Sequence, residues 1–201
     1  MEEYFIGIEI PSPHKEKVMK LRKEAVDKGL LKFKEKYFPH ITIYAQGFDD
    51  EKELLNLFGF EFKEFKMNLT GTNVFRKNIL KDILHMTSTK PEELQEIQNK
   101  IIDLLNSIRN NALPEIILQS KEPLTERERE LIQKYGYHHI KEVYRPHVTI
   151  GTFREEEKLK ETTDIFNNLD FPLEFKVNKI SLFKKVDGLW KEIKSIRATV
   201  D

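Results

Sequence analysis

Two short segments of this chain carry the same residue types in the same order. Pro39-His40-Ile41-Thr42-Ile43 recurs as Pro146-His147-Val148-Thr149-Ile150, with one Ile-for-Val exchange. A β-strand turns side chains i and i+2 to one face. His40 therefore shares a face with Thr42, and His147 with Thr149, while the aliphatic residues between and beyond them point into a core. Two such faces meeting across a cleft would bring two imidazoles and two hydroxyls to one space. Two histidines that titrate near neutrality can act as base and acid on opposite sides of one bond. Threonine hydroxyls can donate to the non-bridging oxygens of a phosphoryl group, where charge builds up.

The elements that must position these residues follow from periodicity and punctuation. Tyr4–Ile10 is β-branched and aromatic and stops at Pro11, which predicts a central strand. Val18, Leu21, Ala25 and Val26 have helical spacing between Pro13 and Lys28, closed by Gly29. Tyr37–Tyr44 is the first motif strand and Asp50–Phe58 a short helix. Phe60–Leu69 alternates, with a slip between Phe62 and Phe65 that suggests a bulge. Arg76-Lys77-Asn78 is a turn, and Ile79–Thr89 the returning strand. Pro91–Arg109 is the longest amphipathic helix, with Pro91 in its first turn. Thr125-x-x-Glu128 has capping-box spacing and opens a helix that should stop near Gly136. Tyr144–Phe153 is the second motif strand, followed by a helix over Glu155–Asn168. Phe171–Phe183 and Leu189–Val200 close the chain as a hairpin through Asp187-Gly188.

The repetition extends beyond the motifs. Glu64-Phe65-Lys66-Met67-Asn68 matches Glu174-Phe175-Lys176-Val177-Asn178, and Asn78–Ile83 matches Gly188–Ile193 at the same offset. Each half reads helix, motif strand, helix, strand hairpin. Tyr4–Ile10 has counterparts in Ile83–Thr89 and Ile193–Thr199. The expected fold class is α+β: two pseudo-twofold-related lobes, each an antiparallel sheet with helices outside, forming a central cleft. Residues 1–201 are read as one bilobal domain. Its asymmetry is an insertion at 111–144, where the first half has only Gly29–Lys36. This insertion is expected either to fold over one rim of the cleft or to pack on the outer face.

Composition bounds the partners. Lys+Arg and Asp+Glu are each 34, so the net charge is 0, which argues against gripping long duplex nucleic acid by bulk charge. Charged residues make up 34% and hydrophobic ones 39%, with 14 Phe, which describes a folded protein with a very charged skin. Cysteine is absent, so thiolate chemistry and Cys-ligated metals are ruled out. The start Met1-Glu2-Glu3 is acidic, unlike a secretory signal, and no stretch reaches the ~18 apolar residues of a membrane span. The expectation is a cytoplasmic monomer without membrane association.

Two His-x-Thr strands, each led by Pro-His, in a duplicated chain of this length resemble the two-histidine (2H) phosphoesterase superfamily. The opening Phe5-Ile6-Gly7-Ile8-Glu9-Ile10-Pro11 resembles the first strand of its 2′-5′ RNA ligase-like branch, which includes RNA 2′,3′-cyclic phosphodiesterases. The resemblance covers about 4–110 and 144–200. It implies metal-independent attack of water on a cyclic phosphodiester or a 2′-5′ linkage, with no cofactor. His40 and His147 would be the catalytic acid/base pair, and Thr42 and Thr149 would bind the phosphate. The substrate would be a nucleotide or RNA end, with a 2′,3′-cyclic phosphate opened to a 2′-phosphate as the leading reading. The alternatives are a phosphodiesterase of 2′-5′-linked or cyclic oligonucleotides, and a nucleotide- or RNA-binding module without turnover. The pseudo-symmetry leaves the acid and the base exchangeable.

Flanking positions add candidates. Tyr44 follows Thr42 by two and is expected on the His40 face, stacking or hydrogen-bonding with substrate, or else as a plain cleft-lining or core aromatic. Arg145 precedes His147 by two, so it shares that face and could meet a phosphate at the rim, or else be a solvated surface residue. Gly151 stands where the first motif has Tyr44 and could leave room for a base. Lys32, Lys34 and Lys36 approach the first motif at alternate positions and form a solvated edge or steer an anion toward the cleft. His85 reads as structural. The adjacent His138 and His139 point apart in an extended chain and read as a loop or surface pair rather than metal ligands.

Overall fold

The computed structural model describes residues 2–31, 37–75, 82–109, 124–153 and 155–199. Eight strands form two four-stranded antiparallel sheets. The first contains β1 (Glu2–Glu9), β2 (His40–Phe48), β7 (Lys179–Val186) and β8 (Leu189–Arg197), in the order β2-β1-β7-β8. The second contains β3 (Phe65–Phe75), β4 (Asp82–Ser88), β5 (His147–Phe153) and β6 (Leu173–Val177), in the order β5-β4-β3-β6. Each motif strand is an edge strand, and the two sheets meet where β2 touches β5. The two-lobed α+β architecture expected from the repeat is the one observed.

The helices are α1 (His14–Asp27), α2 (Glu51–Leu57), α3 (Glu92–Leu105), α4 (Glu126–Tyr135) and α5 (Glu156–Phe166). Their punctuation is local. Asp50 caps α2 by accepting from the Glu53 backbone N–H. Thr125 and Glu128 form the capping box of α4, and Gly136 ends that helix in the left-handed conformation. Asp187 and Gly188 both have positive φ, the type I′ geometry that joins β7 to β8. Helix α3 buries Leu94, Ile97, Ile101 and Leu105 as its periodicity requires, but also Gln98. Pro91 is its N-cap rather than a first-turn residue. The apolar side chains of both sheets pack into one continuous cluster.

Several expected strands change shape in three dimensions. Phe60–Leu69 is not one strand, since β3 begins at Phe65, and its irregularity lies between Leu69 and Gly71. Phe171–Phe183 splits at Asn178, with β6 pairing to β3 in one sheet and β7 to β1 in the other. Sequence alternation cannot show that switch, because both pieces keep the same period. The turn at 76–78, Lys32, Lys34, Lys36 and the first part of the insertion lie outside the described residues.

A β-bulge recurs at the same place in both motifs. Gly7 pairs with Thr42 and Ile6 with Tyr44, which leaves Ile43 extra. His85 pairs with Thr149 and Leu84 with Gly151, which leaves Ile150 extra. Both extra isoleucines are fully buried. The bulge resets the alternation immediately after each threonine.

Candidate active site

Each motif histidine is held by its own chain. His40 Nδ1 lies 3.0 Å from the Phe38 carbonyl, and His147 Nδ1 lies 2.8 Å from the Arg145 carbonyl. A carbonyl can only accept, so each Nδ1 carries the hydrogen and donates it. That fixes the tautomer and leaves Nε2 of each ring with its lone pair for proton transfer. Thr42 and Thr149 are half-buried, and among the described residues neither hydroxyl has a protein partner.

Both imidazoles are shifted by burial, and His40 also feels the charge of His147. Burial pushes the His40 pKa down to about 4, and the charges of Arg22 and His147 add to that fall. Burial also lowers the His147 pKa, partly offset by its bond to the Arg145 carbonyl. Both rings are therefore neutral in the free protein near neutrality.

Buried polar groups tie the lobes together behind the site. Arg22 of α1, 3% exposed, donates to the Tyr37 carbonyl at 3.2 Å and to the Thr149 carbonyl. Gln98 of α3 donates to the Ile43 carbonyl at 2.8 Å and accepts from the Lys141 backbone N–H at 2.9 Å. Each helix thus reaches the motif strand of the other half. Tyr144 adds a third tie, its hydroxyl donating to the Thr42 carbonyl at 2.9 Å. None of these three was singled out from sequence. A buried polar residue on an apolar helical stripe was the available signal for Arg22 and Gln98.

The surroundings of the two histidines differ. His40 stacks on Phe5 at 4.5 Å and lies 5.2 Å from the Phe38 ring, and Phe183 packs on both phenylalanines. His147 instead faces a cavity of about 340 Å³ lined by Phe75, His85, Thr87, Lys90 and Arg145 among others. His85 stacks on Phe75 at 3.9 Å and stands 5.3 Å from His147, edge to face. It occupies the place that Gly7 holds in the first sheet, opposite the motif threonine.

The candidates from sequence separate accordingly. Arg145 lines the cavity with His147. Tyr44 does not face the site: the bulge at Ile43 turns it into the core, where it is 1% exposed and its hydroxyl donates to the Tyr135 carbonyl at 3.0 Å. Gly151 leaves no room for a base, because the Leu31 side chain fills the space where a Cβ would stand. His85, read as structural, is 4% exposed and also forms part of the cavity wall. His138 and His139 lie in a loop, as expected, but they are half-buried and their rings are 4.0 Å from each other rather than pointing apart. The His139 ring lies 6.4 Å from Phe75, and the charge of His147 contributes to its lowered pKa. Among the described residues no cluster of three or more His, Asp or Glu could hold a metal ion, and no helix is long and apolar enough to cross a membrane.

Comparison with known proteins supports the resemblance read from the motifs. The family model of the 2′-5′ RNA ligase superfamily matches residues 111–189. A search of curated proteins by sequence finds no match. Among solved structures, apo Escherichia coli LigT superposes with a TM-score of 0.60 at 13% identity, covering 99% of this chain and 98% of that one. The protein TT0787 of Thermus thermophilus gives 0.60 at 14% identity, covering 98% and 97%. LigT complexed with 3′-AMP gives 0.58 at 13% identity, covering 99% of both chains. The chain has the LigT-like two-lobed fold and resembles the 2H phosphoesterases.

Proposed function

We propose that this protein is a phosphodiesterase that opens a 2′,3′-cyclic phosphate on an RNA end or nucleotide. The observation that carries the reading is the mirrored pair of histidines. Each donates Nδ1–H to the carbonyl two residues before it, keeps Nε2 for proton transfer, and has a threonine hydroxyl on the same face. The family model, and the binding of 3′-AMP by a protein of the same fold, agree with a nucleotide phosphate as the ligand.

The asymmetry of the site supports an assignment of roles. His40 is enclosed by aromatic rings and kept neutral by burial and by Arg22, which suits a base for water. The cavity beside His147 gives space for the ribose that carries the leaving oxygen. Water attacks phosphorus from the His40 side and gives its proton to His40 Nε2. The bond from phosphorus to O3′ breaks, and protonated His147 delivers a proton to O3′. The product is a 2′-phosphate with a free 3′-hydroxyl, and one water has been added. Thr42 and Thr149 donate to the equatorial oxygens as their charge rises. An anionic phosphate between the rings favours protonation of His147 in the complex.

Incubation with a panel of nucleoside 2′,3′-cyclic phosphates in chelator tests the reading. Conversion to the 2′-phosphate is expected. Absence of hydrolysis together with tight nucleotide binding would instead support a binding module, and turnover confined to 2′-5′-linked oligonucleotides would move the substrate.

A further inference from the structure

The pseudo-twofold axis makes the two flanks of the site directly comparable. On the His40 flank, position −2 from the histidine is Phe38, and the strand paired with β2 offers Glu9 opposite His40 and Gly7 opposite Thr42. Phe5 stacks on Phe183 and Phe38 tilts against Phe183 on that flank, and Glu9 is ion-paired to Lys15. On the His147 flank, position −2 is Arg145, and β4 offers Thr87 opposite His147 and His85 opposite Thr149. The result there is the cavity, with a hydroxyl where the other flank has a carboxylate and a guanidinium where it has a ring.

The chemistry of that cavity is directional. Phe75 and His85 are stacked at 12° and form an aromatic surface in its wall. Arg145 is exposed, and among the described residues its guanidinium has no hydrogen-bond or ion-pair partner. Lys90 adds a second cation, anchored on the Lys141 carbonyl at 2.8 Å. Arg145 lies two residues before His147, just ahead of β5, a span of roughly 6.6 Å for extended chain. That is the scale of one sugar–phosphate step. An aromatic surface, a free guanidinium and an ammonium beside the acid form a place for a nucleoside with a further phosphate, because Arg binds phosphate oxygens in a bidentate fork.

We infer that the cavity beside His147 is a subsite for the nucleotide bearing the cyclic phosphate, and that Arg145 binds the phosphate on the 5′ side of that nucleotide. This rests on the phosphodiesterase reading and sharpens it: the preferred substrate is an oligonucleotide end rather than a free mononucleoside cyclic phosphate. Arg145 is a specificity-determining residue in this scheme. In this scheme water attacks from the aromatic-walled His40 flank.

The test compares three substrates on the full chain at fixed low salt: adenosine 2′,3′-cyclic phosphate, the same compound with a 5′-phosphate, and the ApA dinucleotide ending in a 2′,3′-cyclic phosphate. In the wild-type protein, kcat/KM for the two substrates with a 5′-side phosphate should exceed that of the first by at least ~10-fold, the size of one charge-assisted hydrogen bond. Arg145→Gln should bring that ratio close to one, and Arg145→Lys should restore part of it. Equal kcat/KM for all three in the wild type, or a ratio unaffected by Arg145→Gln, would overturn the inference. Equilibrium binding of adenosine 2′-phosphate and of ApA 2′-phosphate separates this result from the reading beneath it. If no substrate turns over, the phosphodiesterase reading fails. Tighter binding of the dinucleotide that depends on Arg145 would still support the subsite, and equal binding would overturn it.

Discussion

The hydroxyl of Tyr144 donates to the backbone carbonyl of Thr42 at 2.9 Å, so the residue leading into one motif strand holds the threonine of the other. Arg22 completes the reciprocal arrangement by donating to the carbonyl of Thr149 from the first half of the chain. The spacing of the two histidines is thereby set by side chains that touch backbone, not by the histidines themselves. Strand edges expose carbonyls that need partners. Here those partners come from the opposite lobe, which couples the satisfaction of each edge to the register of the site.

Tyr144→Phe removes one of these ties and nothing from the imidazoles. A stability loss of about 1 kcal/mol is expected, the net worth of a typical buried hydrogen bond. Arg22→Met strips charge-assisted bonds from two carbonyls and should cost about 2–3 kcal/mol. Urea titrations would give both values. For Tyr144→Phe, kcat for cyclic nucleotide hydrolysis should fall while the NMR titrations of His40 and His147 stay in place. Unchanged kcat would show that this tie does not set the spacing.

Replacing either His40 or His147 by Ala should lower kcat by at least ~10²-fold, the lower end for a lost acid or base. Thr42→Ala and Thr149→Ala should cost less than the histidine on the same strand, since other donors remain. Hydrolysis should persist in chelator. Circular dichroism checks that each variant is folded before its rate is compared.

Burial lowers the pKa of His40 and His85 to about 4 and of His139 to about 3, and also lowers those of His138 and His147. Each group then binds more protons in the unfolded chain than in the folded one over the window between its folded value and about 6.5. The stability from keeping these rings neutral is complete above pH 6.5 and is lost as pH falls toward 4. The urea midpoint should therefore drop clearly between pH 7 and pH 5. A flat profile over that range would contradict the burial of these rings. The acid limb of kcat/KM should lie below pH 6.5, because the base remains neutral there.

Gly7 is required by close approach. A Cβ at that position would stand 2.5 Å from the Ile41 carbonyl oxygen, where the bulge draws the strands together beside Thr42. Gly7→Ala should destabilise by about 1–3 kcal/mol through overpacking and lower kcat by displacing His40 and Thr42. Thermal unfolding and turnover measured on one preparation would check both. A variant with full stability would mean the backbone yields at no cost.

The sequence alone determined what depends on neighbours along the chain. The i, i+2 pairing of His40 with Thr42 and of His147 with Thr149, the Thr125–Glu128 capping box, the Asp187-Gly188 turn and the duplication itself are all short-range patterns, and each is present in the fold. The tertiary structure decided what depends on a partner far along the chain. The bulge at Ile43 comes from pairing with β1 and removes Tyr44 from the cleft. Leu31 fills the gap at Gly151, and Arg22 reaches Thr149 across 127 positions. The cavity beside His147 is lined by Arg145 and His85, which stand where the other lobe has Phe38 and Gly7. Spacing in sequence fixes which side chains share a face only as far as the next bulge, and the bulge after Thr42 is set by the pairing partner. Which face is buried, and against what, is fixed when the two edge strands meet and their carbonyls must find donors.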